Sequence, residues 1–182
     1  MSINPKSIFN GPVQILLCVV AVALTGGIAA AESAGIENEV VNAASLPSAV
    51  ELANDLAAVG ALSQQKGVPI LLMFSTEDCN YCKRLEAEVL GPMRIAGIDP
   101  QRVILRKVVL DEYGTLRDFS GHERNAESFG NSLGVDVVPT LELLDATGKV
   151  LVPKIVGYQT PGLYAHYLEK AIEVSRSLLA QQ

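Results

Sequence analysis

Phe74-Ser75-Thr76-Glu77-Asp78-Cys79-Asn80-Tyr81-Cys82-Lys83-Arg84-Leu85 decides how the rest of this chain is read. Two cysteines stand three positions apart, directly after the apolar run Val68-Pro69-Ile70-Leu71-Leu72-Met73-Phe74. The residues after them read as a helix. A strand feeding a helix that opens on Cys-x-x-Cys is a setting for dithiol–disulfide chemistry. Backbone N–H groups and the dipole at a first helical turn favour a thiolate. The i, i+3 spacing puts both sulfurs on one face. Cys79 is then the exposed, attacking sulfur, and Cys82, one turn in, the more buried, resolving one.

The chain has 182 residues, enough for one domain with a substantial core. Hydrophobic residues make up 49% and charged residues 19%, a globular balance. Net charge is −6, so there is no basic footprint for a nucleic-acid partner.

Residues 1–31 read as a signal peptide. Lys6 and the α-amino group give a weakly positive start, and Val13 to Leu24 is apolar except for Gln14. Gly26-Gly27 breaks the run, and Ala29-Ala30-Ala31 offers a cleavage site before Glu32. A run of about a dozen residues is short for a spanning helix, which needs ~20. The alternative is an uncleaved membrane anchor. Cys18 lies inside this segment, after a leucine too large for a lipoprotein cleavage site. Its removal leaves Cys79 and Cys82 as the mature cysteines. A bridge closing so short a loop constrains the unfolded chain little, so the pair points to redox use in an oxidising compartment. The expected location is the periplasm.

Residues 32–44 read as a flexible lead. Ser45 or Ser48 is expected to cap a helix running to Lys66, with Leu52, Leu56, Val59 and Leu62 inward and Gly67 stopping it. Val68 to Phe74 is a strand buried on both faces. After Cys79 the helix keeps Cys82, Leu85 and Val89 on one side, and Gly91-Pro92 interrupts it. Val103 to Asp111 is a second strand, and Glu112 to Glu123 a loop carrying His122. Asn125 to Leu133 is a short helix with Phe129 and Leu133 inward, ended by Gly134. Thr140 to Leu144 is a strand, Asp145-Ala146-Thr147-Gly148 a turn, and Lys149 to Val156 the returning strand, with Pro153 marking an edge or bulge. Thr160 caps the last helix and Pro161 opens it, with Leu163, Tyr167, Ala171, Val174 and Leu178 as its apolar stripe and His166 off it. The order gives a β-α-β half followed by a hairpin and a helix on one central sheet. Its parallel half is expected to have right-handed crossovers and helices on both faces.

Three features in this order resemble the thioredoxin superfamily over roughly Ser48 to Leu179. They are Cys79-Asn80-Tyr81-Cys82 after a buried strand, Val138-Pro139-Thr140 before the hairpin, and Asp145-Ala146-Thr147-Gly148-Lys149 with Gly157 closing the second strand. The Cys-x-Tyr-Cys-Lys form and the exported location are similar to periplasmic thioredoxin-like proteins, including those of sulfur-oxidation or cytochrome-maturation systems. The resemblance implies an α/β fold with a central mixed sheet and helices on both faces, over residues 45–182. It implies a cis proline at Pro139, placed against the redox pair and exposing the Val138 backbone to a substrate strand. Tyr81, Val138, Pro139 and Thr140 are therefore the expected substrate-binding residues.

The chain also departs from the family. Thioredoxins carry Trp before the first cysteine, where this chain has Asp78. They carry a buried Asp six residues before it, which handles the proton of the buried thiol, where this chain has Met73. Lys107 matches the family's partner lysine and lacks that carboxylate. Proton transfer at Cys82 then falls to Glu77, water or another group. Glu112 to Glu123 leaves a strand end on the expected redox side and is the candidate for partner selection.

The expected function is thiol:disulfide exchange with protein substrates through Cys79 and Cys82, as a specialised reductant recharged by a membrane-bound electron donor. The protein is expected to be a monomer, with no cofactor and no metal. The competing class is a non-catalytic binding protein of the same fold that holds a partner or a metal at the cysteines. Zinc or copper has only this pair plus His122 and His166 to draw on, without finger-like spacing. An inert structural disulfide is the third reading.

Overall fold

The computed structural model describes residues 50–182. The expected signal segment with Cys18, the lead over 32–44, and the caps at Ser45 and Ser48 lie outside the described residues.

Helix α1 (Leu56–Lys66) begins at Asp55, whose carboxylate accepts the Ala58 N–H, and ends at Gly67 in the left-handed region. The expected helix was longer. Before Asp55 the chain is extended instead, with Leu52 bridged to Lys107 and the Ala53 N–H donating to the Lys107 carbonyl. This covers a sheet edge and leaves the Leu52 side chain exposed, so Leu52 does not face the core as expected.

Strand β1 (Ile70–Ser75) is buried along its whole length. It pairs in parallel with β2 (Ile104–Val109) and antiparallel with β5 (Thr140–Leu144), which pairs with the short β6 (Ile155–Val156). The sheet order is β2-β1-β5-β6. Alternation along β1 sorts its side chains into two cores. Leu71 and Met73 pack with Cys82, Leu85, Leu90, Leu168 and Ile172. Ile70, Leu72 and Phe74 pack with Leu56, Val59, Ala126 and Phe129. The sheet is mixed and covered by helices on both faces, as the sequence predicts.

Four expectations need correction. The helix from the cysteines is not interrupted at Gly91-Pro92. It runs from α2 (Asn80–Leu85) through a wider π turn (Glu86–Leu90) into α3 (Gly91–Ile95), with the Gly91 N–H donating to the Glu86 carbonyl. Pro92 has no N–H and crowds the preceding turn, and a π turn accommodates both. A short α4 (Ile98–Gln101) then leads into β2.

The stretch over 112–123 is not all loop. It contains β3 (Thr115–Arg117), which forms a two-stranded ribbon with β4 (Glu123–Asn125), and Leu116 reaches the core. Helix α5 (Ala126–Ser132) follows, capped by the Asn125 side chain.

The return strand over 149–156 is broken around Pro153, leaving one bridge at Val150 and the two residues of β6. Proline cannot donate to the ladder.

Helix α6 (Pro161–Leu179) opens on Pro161, but Thr160 caps it without a side-chain bond. Its inward residues are Tyr164, Leu168, Ile172 and Ser175, while Leu163, Tyr167, Val174 and Leu178 are exposed. Both stripes are apolar and adjacent, so periodicity alone did not separate them. Among the described residues, no helix is long and apolar enough to cross a membrane.

Candidate active site

The central strand β1 ends at Ser75, and a turn over 76–78 delivers the chain to Cys79 at the start of α2. Cys79 and Cys82 are joined by a disulfide with an S–S distance of 2.04 Å. Cys79 is the N-cap residue of α2, and its Sγ accepts the Cys82 N–H at 3.1 Å. That backbone donor points where a thiolate would sit, the feature that lowers cysteine pKa at helix starts. The two sulfurs differ in access. Cys79 is partly exposed, whereas Cys82 is 1% exposed within the Met73–Leu85 core.

The Val138–Pro139 peptide is cis, as the resemblance implied. Val138 and Pro139 lie beside Tyr81 in an open groove of about 600 Å³, also lined by Arg84, Gly157, Tyr158 and Gln159. Three of the four expected substrate-binding residues, Tyr81, Val138 and Pro139, are thus together. Thr140 is not with them. It is 1% exposed, and its hydroxyl donates to the Val137 carbonyl at 2.6 Å, bracing the loop that carries Val138 from behind.

Glu77 is exposed and borders a different cavity, of about 220 Å³, together with Lys107 and Asp111. His122 sits in the turn between β3 and β4, 79% exposed beside Asp118. His166 is exposed on α6.

One wall of the groove was not anticipated. Arg84 pairs with Glu88 at 3.0 Å, the Tyr158 hydroxyl donates to Glu88 at 2.6 Å, and the Arg84 guanidinium stacks 5.6 Å from the centre of the Tyr158 ring. The hydrogen bond from Arg84, then that from Tyr158, holds the Glu88 carboxyl below its ordinary value. Burial, then the Glu88 carboxylate, pushes Tyr158 up to about 12. Tyr158 stays a neutral donor, and its ring meets Tyr164 edge-on at 5.0 Å. The i, i+4 spacing of Arg84 and Glu88 was visible in the sequence, but their closure onto Tyr158 was not.

A second unanticipated contact concerns Lys107. Met73 leaves it without the family's Asp, but a different carboxylate meets it. Its Nζ lies 2.8 and 3.0 Å from the two carboxylate oxygens of Glu86, the residue one turn after Cys82. Both side chains are largely covered, at 21% and 18% exposed.

A thioredoxin-like family profile matches residues 58–172. The match spans the sheet, the cysteine pair and the Val138–Pro139 bond, and the chain belongs to the thioredoxin-like family. Its fold is similar to that of the DsbH oxidoreductase, at 19% identity and a TM-score of 0.50, covering 70% of this chain and 86% of that one. It also matches thioredoxin f from spinach chloroplast, at 20% identity and a TM-score of 0.47, covering 70% of this chain and 92% of that one. Mitochondrial thioredoxin 3 from Saccharomyces cerevisiae matches at 21% identity and a TM-score of 0.47, covering 71% and 98%. No curated protein matches the sequence.

Proposed function

We propose that the protein is an exported thiol:disulfide oxidoreductase that reduces disulfides in protein substrates. The observation that carries this reading is the Cys79–Cys82 bridge at the start of α2, with one sulfur accessible and the other buried. In the reductive direction the Cys79 thiolate attacks a substrate disulfide and forms a mixed disulfide. Cys82 then attacks Cys79, releasing the reduced substrate and leaving the pair oxidised. Tyr81, Val138 and Pro139 form the docking groove, and an extended substrate segment lies along it. The pair is returned to the dithiol by a membrane-bound electron donor, and the protein works as a monomer.

Export rests on residues 1–31, with cleavage before Glu32. The test uses protein recovered from the periplasm of an expressing bacterium. Its mass is expected to correspond to a chain starting at Glu32. It is expected to catalyse reduction of insulin disulfides by dithiothreitol, with turnover abolished in Cys79→Ser. Absence of turnover, or equal turnover in Cys79→Ser, would overturn the enzymatic reading. Retention in the cytoplasm would overturn export.

A further inference from the structure

The redox pair carries a proton problem that the proposed exchange does not by itself solve. When the mixed disulfide at Cys79 is resolved, Cys82 must lose a proton while 1% exposed among Met73, Leu85 and Leu105. An apolar setting raises a thiol pKa and so holds the proton on. A general base has to lie within hydrogen-bond reach of the sulfur, directly or over one water.

Residue 73 on β1 cannot provide it, because a thioether does not titrate. Its register partner on β2 is Lys107, and in a parallel pair the two side chains share one sheet face. That face is the one α2 covers, with Met73 and Cys82 in the same core. Lys107 is met there by Glu86, through both carboxylate oxygens. Glu86 follows Cys82 by four residues, and its N–H donates to the Cys82 carbonyl. An i, i+4 pair on a helix lies on one face. The carboxylate is therefore within a turn of the buried sulfur, on the side of the helix that faces the sheet.

Resting on the oxidoreductase reading, we propose that Glu86, anchored by Lys107, receives the Cys82 proton in the resolving step. The Cys82 thiol gives its proton to the Glu86 carboxylate, directly or over one water. The resulting thiolate attacks Cys79 Sγ. The Cys79–Cys82 bond forms as the bond from Cys79 to the substrate sulfur breaks. The substrate leaves as a thiolate and takes a proton from Glu86 or solvent. Two electrons pass from the dithiol to the substrate disulfide, which is the oxidant.

Other charged groups near this pair are placed differently. Glu77 and Asp111 border the cavity beside Lys107 and are exposed. Glu51, from the segment along β2, is turned to Arg106 at 3.2 Å. Lys83, on α2 itself, is exposed. Within the covered space under α2, Glu86 is the carboxylate that meets Lys107.

The test uses the full chain carrying Cys18→Ser, reduced and mixed with a chromogenic aromatic disulfide. Release of the first aromatic thiolate reports attack by Cys79, and release of the second reports resolution by Cys82. In Glu86→Gln the second phase is expected to slow by about tenfold or more near neutral pH, with the first phase unchanged. The deficit is expected to shrink in strongly alkaline solution, where hydroxide takes the Cys82 proton without Glu86. A second phase unchanged in Glu86→Gln, or one slowed by Glu77→Gln instead, overturns the assignment. If Glu86→Gln does not fold, Glu86→Asp carries the test. Its shorter carboxylate is expected to slow only the second phase, and an unchanged second phase overturns the assignment. Failure of the oxidoreductase reading looks different: wild type then shows no first phase.

Discussion

Glu142 is the residue that the chemistry of the fold accounts for least. It sits in the middle of β5, 2% exposed, opposite Leu72, with Oε2 lacking a hydrogen-bond partner among the described residues and Lys154 Nζ at 3.7 Å from Oε1. Burial raises its carboxyl above the ordinary 4.5, and Lys154 offsets only part of that. A raised carboxyl binds its proton more tightly folded than unfolded. Its contribution is then full below the unfolded value and is lost as pH rises through the folded one. Glu142→Gln cannot ionise, so its melting temperature is expected to exceed that of wild type at about pH 7 and to lose that advantage by about pH 4. Thermal melts at the two pH values check it, and an advantage that grows on acidification would contradict it. Lys154 is not stranded by the change, because it donates to the Leu133 and Gly134 carbonyls. The site residues show the same limit on what a sequence discloses. The pairing of Cys79 with Cys82 and the cis bond at Val138–Pro139 were legible because spacing, order and the family resemblance carry the information. The Glu86–Lys107 contact, on which the role proposed for Glu86 rests, was not, because it depends on a strand register that brings Lys107 under α2. The distance of four from Cys82 to Glu86 was the available signal.

Helix α6 tests the reading of elements. Two apolar stripes run along it, one through Leu163, Tyr167, Val174 and Leu178 and one through Tyr164, Leu168 and Ile172. The first contains more of the large side chains that a periodicity search rewards, and the second is the one that meets Leu143 and Met93. The two are offset by a single residue, about 100° around a helix, so only the packing distinguishes them. Leu168→Ala is expected to destabilise the fold by about 2–5 kcal/mol, as fully buried leucines do. Leu178→Ala is expected to cost within about 0.5 kcal/mol. Urea unfolding of both variants checks this, and equal costs would contradict the assignment of the inward face. Strand β1 was legible from its short, near-continuous apolar run, whereas β2 carries Arg106 and Lys107 and β5 carries Glu142 among their apolar residues, and their short length and β-branched content marked them as strands. The β3–β4 ribbon was missed because its strands have three residues each, with Leu116 as the buried contact of β3.

At the scale of the molecule, the order of motifs was sufficient to predict the architecture. The parallel pairing of β1 with β2 and the antiparallel pairings of β5 with β1 and β6 give the sheet order β2-β1-β5-β6, and short connections within one sheet leave few alternatives. The start of α2 falls at the end of the central strand, where open α/β sheets place their sites. The groove that holds Tyr81, Val138 and Pro139 opens there too. Among the described residues, the partly exposed sulfur is that of Cys79, with Cys82 buried behind it, and the groove proposed to receive substrate is lined by Tyr81, Val138 and Pro139. Capture of substrate by Cys79 is the step on which the proposed activity depends. The full chain carrying Cys18→Ser and Cys82→Ser, incubated with a disulfide-containing protein, is expected to accumulate a mixed disulfide that peptide mapping locates at Cys79. Absence of the adduct, or an equal yield when Cys79 is also replaced by Ser, would contradict capture at this sulfur.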